Sequence, residues 1–197
     1  MKVRFPTDLQ LRPTRAHEVC GPSAAVFAAC HASQQDGPIL WITEVWRSDR
    51  LHPRGLSRFF DPARLVLIEA RRAIDVLWSA EEGLRSGAVG MVVAELTRAP
   101  DLTASRRLQL AAEAGGTLGL FIIPEGTGSN AAETRWHATP IRGSGAVWDS
   151  TPMRWRTIKN KRGTLVNAEV AWDATAHRLL LDTTLGKRAA HPPQHAL

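Results

Sequence analysis

The stretch His17-Glu18-Val19-Cys20-Gly21-Pro22-Ser23-Ala24-Ala25-Val26-Phe27-Ala28 has the frame of a phosphate-binding loop: a short apolar strand, a Gly-Pro turn and an alanine-rich helix start. A working loop reads G-x-x-x-x-G-K-[ST]. Its backbone N–H groups cradle phosphate, its lysine reaches the β- and γ-phosphates, and its hydroxyl holds Mg²⁺. Counted from Gly21, Val26 stands at the second glycine, Phe27 at the lysine and Ala28 at the hydroxyl. The candidate degenerate loop is therefore Gly21, Pro22, Ser23, Val26, Phe27 and Ala28. The expectation is a structural turn, with no catalytic residue, no cofactor and no nucleotide hydrolysis. A helix N-terminus can still bind an anion without a lysine, but Phe27 on the first turn is better suited to burial against a sheet.

Other residue types give weaker signals. Glu44, Glu69 and Glu95 each end or follow an apolar run, where carboxylates of an ATPase would hold a metal or activate water. Without the loop they have no phosphate to act on, and they read as surface or capping groups. Cys20 and Cys30 have His17 and His31 near them in sequence, but their apolar neighbours favour small buried hydrophobes over nucleophiles. The histidines show no metal-ligand spacing.

Charge is the stronger signal. Residues 135–162 hold Arg135, Arg142, Arg154, Arg156, Lys159, Lys161 and Arg162 against Asp149 alone, an excess that equals the +6 of the whole chain. Arg154 and Arg156 share one strand face, Trp155 takes the other, and Trp136 and Trp148 lie nearby. Arg154, Arg156, Lys159, Lys161 and Arg162 thus suit single-stranded DNA, where backbone charge and base stacking add. A solvated edge strand and an acidic protein partner fit the same pattern. A second candidate surface is the loop carrying Trp46, Arg47, Arg50 and Leu51, residue types enriched at protein interfaces. It could equally cap an empty cleft.

The elements that must position these residues follow from periodicity. Apolar runs at 17–20, 39–42, 65–68, 91–94 and 118–123 do not alternate with polar residues, the pattern of strands covered on both faces. Helical segments at 23–33, 73–86 and 103–114 lie between them, the last two stopping at Gly87 and Gly115-Gly116. In the segment 73–86, Ile74, Leu77, Trp78 and Leu84 read as one stripe. Strand-helix alternation predicts an α/β fold with a mainly parallel sheet. After Gly128 the pattern changes to alternating segments near 133–138, 153–158, 166–172 and 177–181, which predict a basic antiparallel β-meander. Residues 1–16 read as an N-terminal arm, 17–185 as one domain, and 186–197 as a flexible tail, with a further flexible stretch at Gly143-Ser144-Gly145.

Composition sets outer bounds. With 197 residues, 44% hydrophobic and 22% charged, the chain suits one globular domain. Two cysteines ten positions apart make no disulfide framework. The first residues lack a signal-peptide core, and no apolar run approaches the ~20 residues that cross a bilayer. A cytoplasmic location and no membrane contact are expected.

The α/β core, the Gly-Pro loop after the first strand and the basic end together resemble the RecA-like ATPase core. The residues carrying this are His17-Glu18-Val19-Cys20-Gly21-Pro22, Leu84-Arg85-Ser86-Gly87-Ala88-Val89-Gly90-Met91-Val92-Val93 and Ile158-Lys159-Asn160-Lys161-Arg162-Gly163. Within that superfamily, Asp101–Gly116, Gly37-Pro38-Ile39-Leu40-Trp41 and Asp61-Pro62-Ala63-Arg64-Leu65 are similar to ImuA-type proteins. These are accessory proteins of bacterial damage-inducible mutagenesis. The resemblance implies a role in translesion DNA synthesis under the SOS response. Its implied partners are an ImuB-type Y-family polymerase relative and an error-prone C-family polymerase, with RecA a further candidate. The arm is shorter than RecA's N-terminal helix and linker, and the segment 123–131 is shorter than a DNA-embracing loop. The implied role is a non-catalytic adaptor. The alternative is a SulA-like cell-division inhibitor that binds FtsZ.

Overall fold

In a computed structural model of the chain, which describes residues 4–141 and 150–181, nine strands form one mixed sheet. They are β1 (Ala16–Cys20), β2 (Ile39–Glu44), β3 (Leu65–Ala70), β4 (Met91–Glu95), β5 (Leu118–Ile122), β6 (Thr134–Pro140), β7 (Ser150–Asn160), β8 (Asn167–Asp173) and β9 (Arg178–Leu181). Their spatial order is β3-β2-β4-β5-β1-β6-β7-β8-β9. Pairing is parallel from β3 through to β6 and antiparallel from β6 to β9. Arg142, Trp148, Asp149, the 143–145 glycine stretch and the 186–197 tail lie outside the described residues.

Four helices connect the strands: α1 (Ala24–Ser33), the single turn α2 (Pro53–Leu56), α3 (Ala73–Ser86) and α4 (Leu102–Gly115). Asp101 caps α4, its Oδ1 accepting the Ala104 N–H at 2.7 Å, and Gly116 closes it at φ +66°, a backbone region costly for side chains. α1 lies on one face of the sheet in a core with Trp41, Trp136, Trp155 and Trp172, while α3 and α4 cover the other through Val76, Ala80, Leu84, Leu108 and Ala112. Continuous apolar strands are thus wrapped on both sides.

Three details differ from the sequence reading. The segment before β1 is packed down: Phe5, Leu9 and Leu11 are buried, and the Phe5 ring lies 5.2 Å from His31 and 6.1 Å from Trp155. Its polar composition hid three spaced apolar anchors. β3 is a sheet edge, so Val66 and Leu67 on its two faces stay about half exposed. The expected stripe on α3 also divides. Val76, Ala80 and Leu84 are buried, whereas Ile74 is 61% and Trp78 63% exposed.

Candidate functional site

The Gly21 turn is built against β6. Gly21 has φ +98°, and a Cβ there would collide with the Ala138 carbonyl oxygen, so the turn demands glycine for both conformation and space. The Ser23 N–H donates to that same carbonyl at 3.0 Å. One N–H group at the start of α1, available to an anion in a working loop, is therefore satisfied internally. The Ser23 side chain makes no capping bond and is buried. Pro22 is exposed, Val26 is partly buried on the core, and Ala28 is fully buried.

Phe27, at the lysine position, is fully buried. Its ring centroid lies 4.4 Å from His31, 4.5 Å from Trp155 and 5.6 Å from Trp136. His31 is also stacked on Trp155 at 5.4 Å, with its Nε2 buried and unbonded among the described residues. Burial holds His31 neutral, its pKa lowered to about 3. His17 is lowered to about 4, also through burial. Its Nε2 contacts the Arg12 carbonyl at 2.9 Å and its Nδ1 the Thr134 hydroxyl at 2.7 Å. Because a carbonyl only accepts, Nε2 carries the proton and Nδ1 accepts from Thr134. The Thr134 oxygen in turn accepts from Trp136 Nε1 at 2.8 Å. Cys20 and Cys30 are buried free thiols, and burial raises both pKa values, as their apolar surroundings predict.

The carboxyl edge of the parallel strands carries the three glutamates. Glu44 and Glu95 are buried rather than surface groups. Glu95 Oε1 accepts from Trp41 Nε1 at 2.7 Å, and its Oε2 lies 3.3 Å from Arg47 Nε. One Glu44 oxygen is buried without a partner among the described residues. Arg50 pairs with Glu69 and donates to the Val45 carbonyl at 3.1 Å. Arg47 and Arg50 thus tie the loop to the strand ends, and Leu51 packs on the core. Trp46 itself is 63% exposed. Among the described residues no group of three or more His, Cys, Asp or Glu side chains is placed to hold a metal ion.

The basic residues separate by what they touch. Met153, Trp155 and Thr157 turn inward, which leaves Arg154 and Arg156 on the face of β7 that α1 does not cover. Trp136 and Trp155 are buried, so they cannot stack on bases there. Arg154 pairs with Glu169 across to β8. Lys159 Nζ donates to the Asn130 and Ala132 carbonyls, and Lys161 Nζ to Ala131 at 2.7 Å. Desolvation, with Lys161 beside it, lowers the Lys159 pKa. Arg156 and Arg162 are exposed and make no ion pair among the described residues. Beneath this face lies a pair missed by sequence reasoning, Glu18 buried and Arg135 partly buried. Glu18 Oε2 accepts from Arg135 Nε at 2.8 Å, and Glu18 Oε1 from the Ser129 N–H at 3.0 Å. The two residues are 117 apart in sequence, and only the parallel β1–β6 register makes them neighbours.

No protein-family model matches the chain. It is similar to Protein ImuA of Caulobacter vibrioides, 34% identical over 137 residues, in strain NA1000 / CB15N and equally in strain ATCC 19089 / CIP 103742 / CB 15. The match covers 62% of this chain and 54% of each relative, so the chain spans about half the length of the curated relatives it matches. No helix among the described residues is long and apolar enough to cross a membrane. The similarity to ImuA supports membership of the ImuA-type family.

Proposed function

We propose that this chain is a non-catalytic accessory protein of damage-inducible mutagenesis. A RecA-like α/β platform serves as adaptor for an ImuB-type polymerase relative within a translesion-synthesis complex. The observation that carries the non-catalytic part is the burial of Phe27 at the lysine position, among His31, Trp136 and Trp155. A lysine there would have to leave an aromatic core to reach a phosphate, and the Ser23 N–H just after the Gly21 turn is taken by the Ala138 carbonyl. The mutagenesis setting rests on the similarity to ImuA, which favours it over the SulA-like alternative.

DNA contact on this reading is electrostatic. Arg156 and Arg162 offer exposed cations, and Trp136 and Trp155, two of the tryptophans that would supply stacking, are in the core. Single-stranded DNA is therefore held through its backbone, with affinity falling steeply as salt rises.

The test has two arms. Mg-ATP at millimolar concentration is expected to leave Tm unchanged and to be hydrolysed no faster than in buffer. Saturable ATP binding overturns the non-catalytic reading. Co-purification from damage-treated cells is expected to recover an ImuB-type protein, whereas recovery of FtsZ without a polymerase partner overturns the adaptor role.

A further inference from the structure

Helix α3 docks on the sheet through Val76, Ala80 and Leu84, spaced four apart. Ile74 and Trp78 repeat at the same four-residue spacing on a different face, so they share a stripe that the sheet does not cover. That stripe faces α4. Ile74, Leu77, Trp78 and Glu81 line a cleft of about 280 Å³ whose other wall is Ala104, Arg107 and Leu108. A tryptophan and an isoleucine each more than 60% exposed beside a cleft form a patch of the kind that marks an interaction surface.

The charge around the cleft says what it takes. Its carboxylates are committed: Asp75 to Arg72, Glu82 to Arg85, and Glu81 to both Arg85 and Arg107. Asp101 caps α4. Arg71 and Arg98, which lead into α3 and α4, have no ion-pair partner among the described residues. The two helices feed the neighbouring parallel strands β4 and β5, so their positive N-terminal ends lie at the same end of the cleft. The uncompensated charge is therefore positive. A second copy of this face would set arginine against arginine, and a flat lipid surface would leave the cleft unfilled.

We propose that the α3–α4 cleft docks an acidic amphipathic helix of a protein partner. Apolar side chains at i, i+4 spacing enter the cleft against Ile74 and Trp78, and flanking carboxylates meet Arg71 and Arg98, which lead into the two helices. This does not depend on the mutagenesis reading, because it names the chemistry of the partner and not its pathway.

The probe is a fluorescein-labelled helical peptide of leucine and glutamate with leucines at i, i+4 spacing, titrated into the full chain by fluorescence polarisation. Saturable binding is expected, weakened about tenfold or more by Trp78→Ser or Ile74→Ser, weakened by Arg71→Glu with Arg98→Glu, and lost when lysine replaces glutamate in the peptide. Both apolar side chains are exposed, so the serine variants should keep the wild-type Tm. Absence of binding, equal binding of the two peptides, or serine variants that bind like wild type overturns the proposal. So does Trp78-dependent binding to phosphatidylglycerol vesicles that exceeds binding to the peptide. A dimer in sedimentation velocity that Trp78→Ser dissociates would assign the face to a second copy and likewise overturn it.

Discussion

Phe27 meets Trp155 edge to face, their ring centroids 4.5 Å apart and their planes at 62°. The first turn of α1 and the middle of β7 are joined there, far apart in sequence. Where a nucleotide loop would carry its lysine, this protein has a core contact.

Phe27→Ala should therefore cost about 3–5 kcal/mol, a fall in Tm of roughly 10 °C. Phe27→Lys should be at least as damaging, because it places a charge among buried rings. Rebuilding the motif as Val26→Gly, Phe27→Lys and Ala28→Thr is expected to give a destabilised protein that still does not bind Mg-ATP. Thermal melts with and without nucleotide check both outcomes.

The buried histidines predict acid sensitivity. Their folded pKa values, about 4 for His17 and about 3 for His31, lie below the ordinary 6.5. Below pH 6.5 the unfolded chain takes up protons that the folded chain does not, so stability falls as pH falls. The loss runs from about pH 6.5 down to about 4 for His17 and about 3 for His31, with a limiting slope of about 1.4 kcal/mol per pH unit for each histidine. Urea melts at pH 7.5, 6.0 and 5.0 should show a shallower decline for His31→Leu than for wild type. Parallel declines would mean that His31 titrates freely in the folded state.

Removing either member of the Glu18–Arg135 pair strands the other charge. Glu18→Ala and Arg135→Leu should each cost about 3–5 kcal/mol. The double variant should be less destabilised than the sum of the two, because it buries no orphan charge. Chemical denaturation of the four proteins in a double-mutant cycle measures the coupling, and simple additivity would show that the pair does not act as a unit.

On the basic face, Arg156→Ala and Lys159→Ala should behave differently. Arg156 is exposed with no ion-pair partner among the described residues, so its loss should weaken single-stranded DNA binding, leave Tm unchanged and reduce the log–log salt slope by about 0.7. Lys159 holds the Asn130 and Ala132 carbonyls, so its loss should lower Tm. Salt-titrated fluorescence anisotropy with a short oligonucleotide, paired with melting curves, separates the two roles. An unchanged salt slope for Arg156→Ala would remove that residue from the contact.

Much of the architecture was legible in local pattern. Continuous apolar runs marked the parallel strands, and Gly87 and Gly116 closed their helices where expected. The alternating segments after Gly128 became β6 to β9. These features depend on neighbours within a few residues. The packed segment around Phe5 was not legible, because three apolar anchors among polar residues have no period.

The candidate surfaces divided in the same way. The sequence alone showed that Gly21–Ala28 lacks the lysine and hydroxyl of a phosphate loop, and that positive charge gathers late in the chain. Residue identity suffices for both, since a missing group cannot be restored by folding. Only the tertiary structure decided which groups remain available. It placed Trp136 and Trp155 in the core, engaged Arg154, Lys159 and Lys161, left Arg156 exposed, and turned Trp78 outward beside α4. The physical reason is that burial and pairing depend on strand register and helix rotation, which bring together residues more than a hundred positions apart.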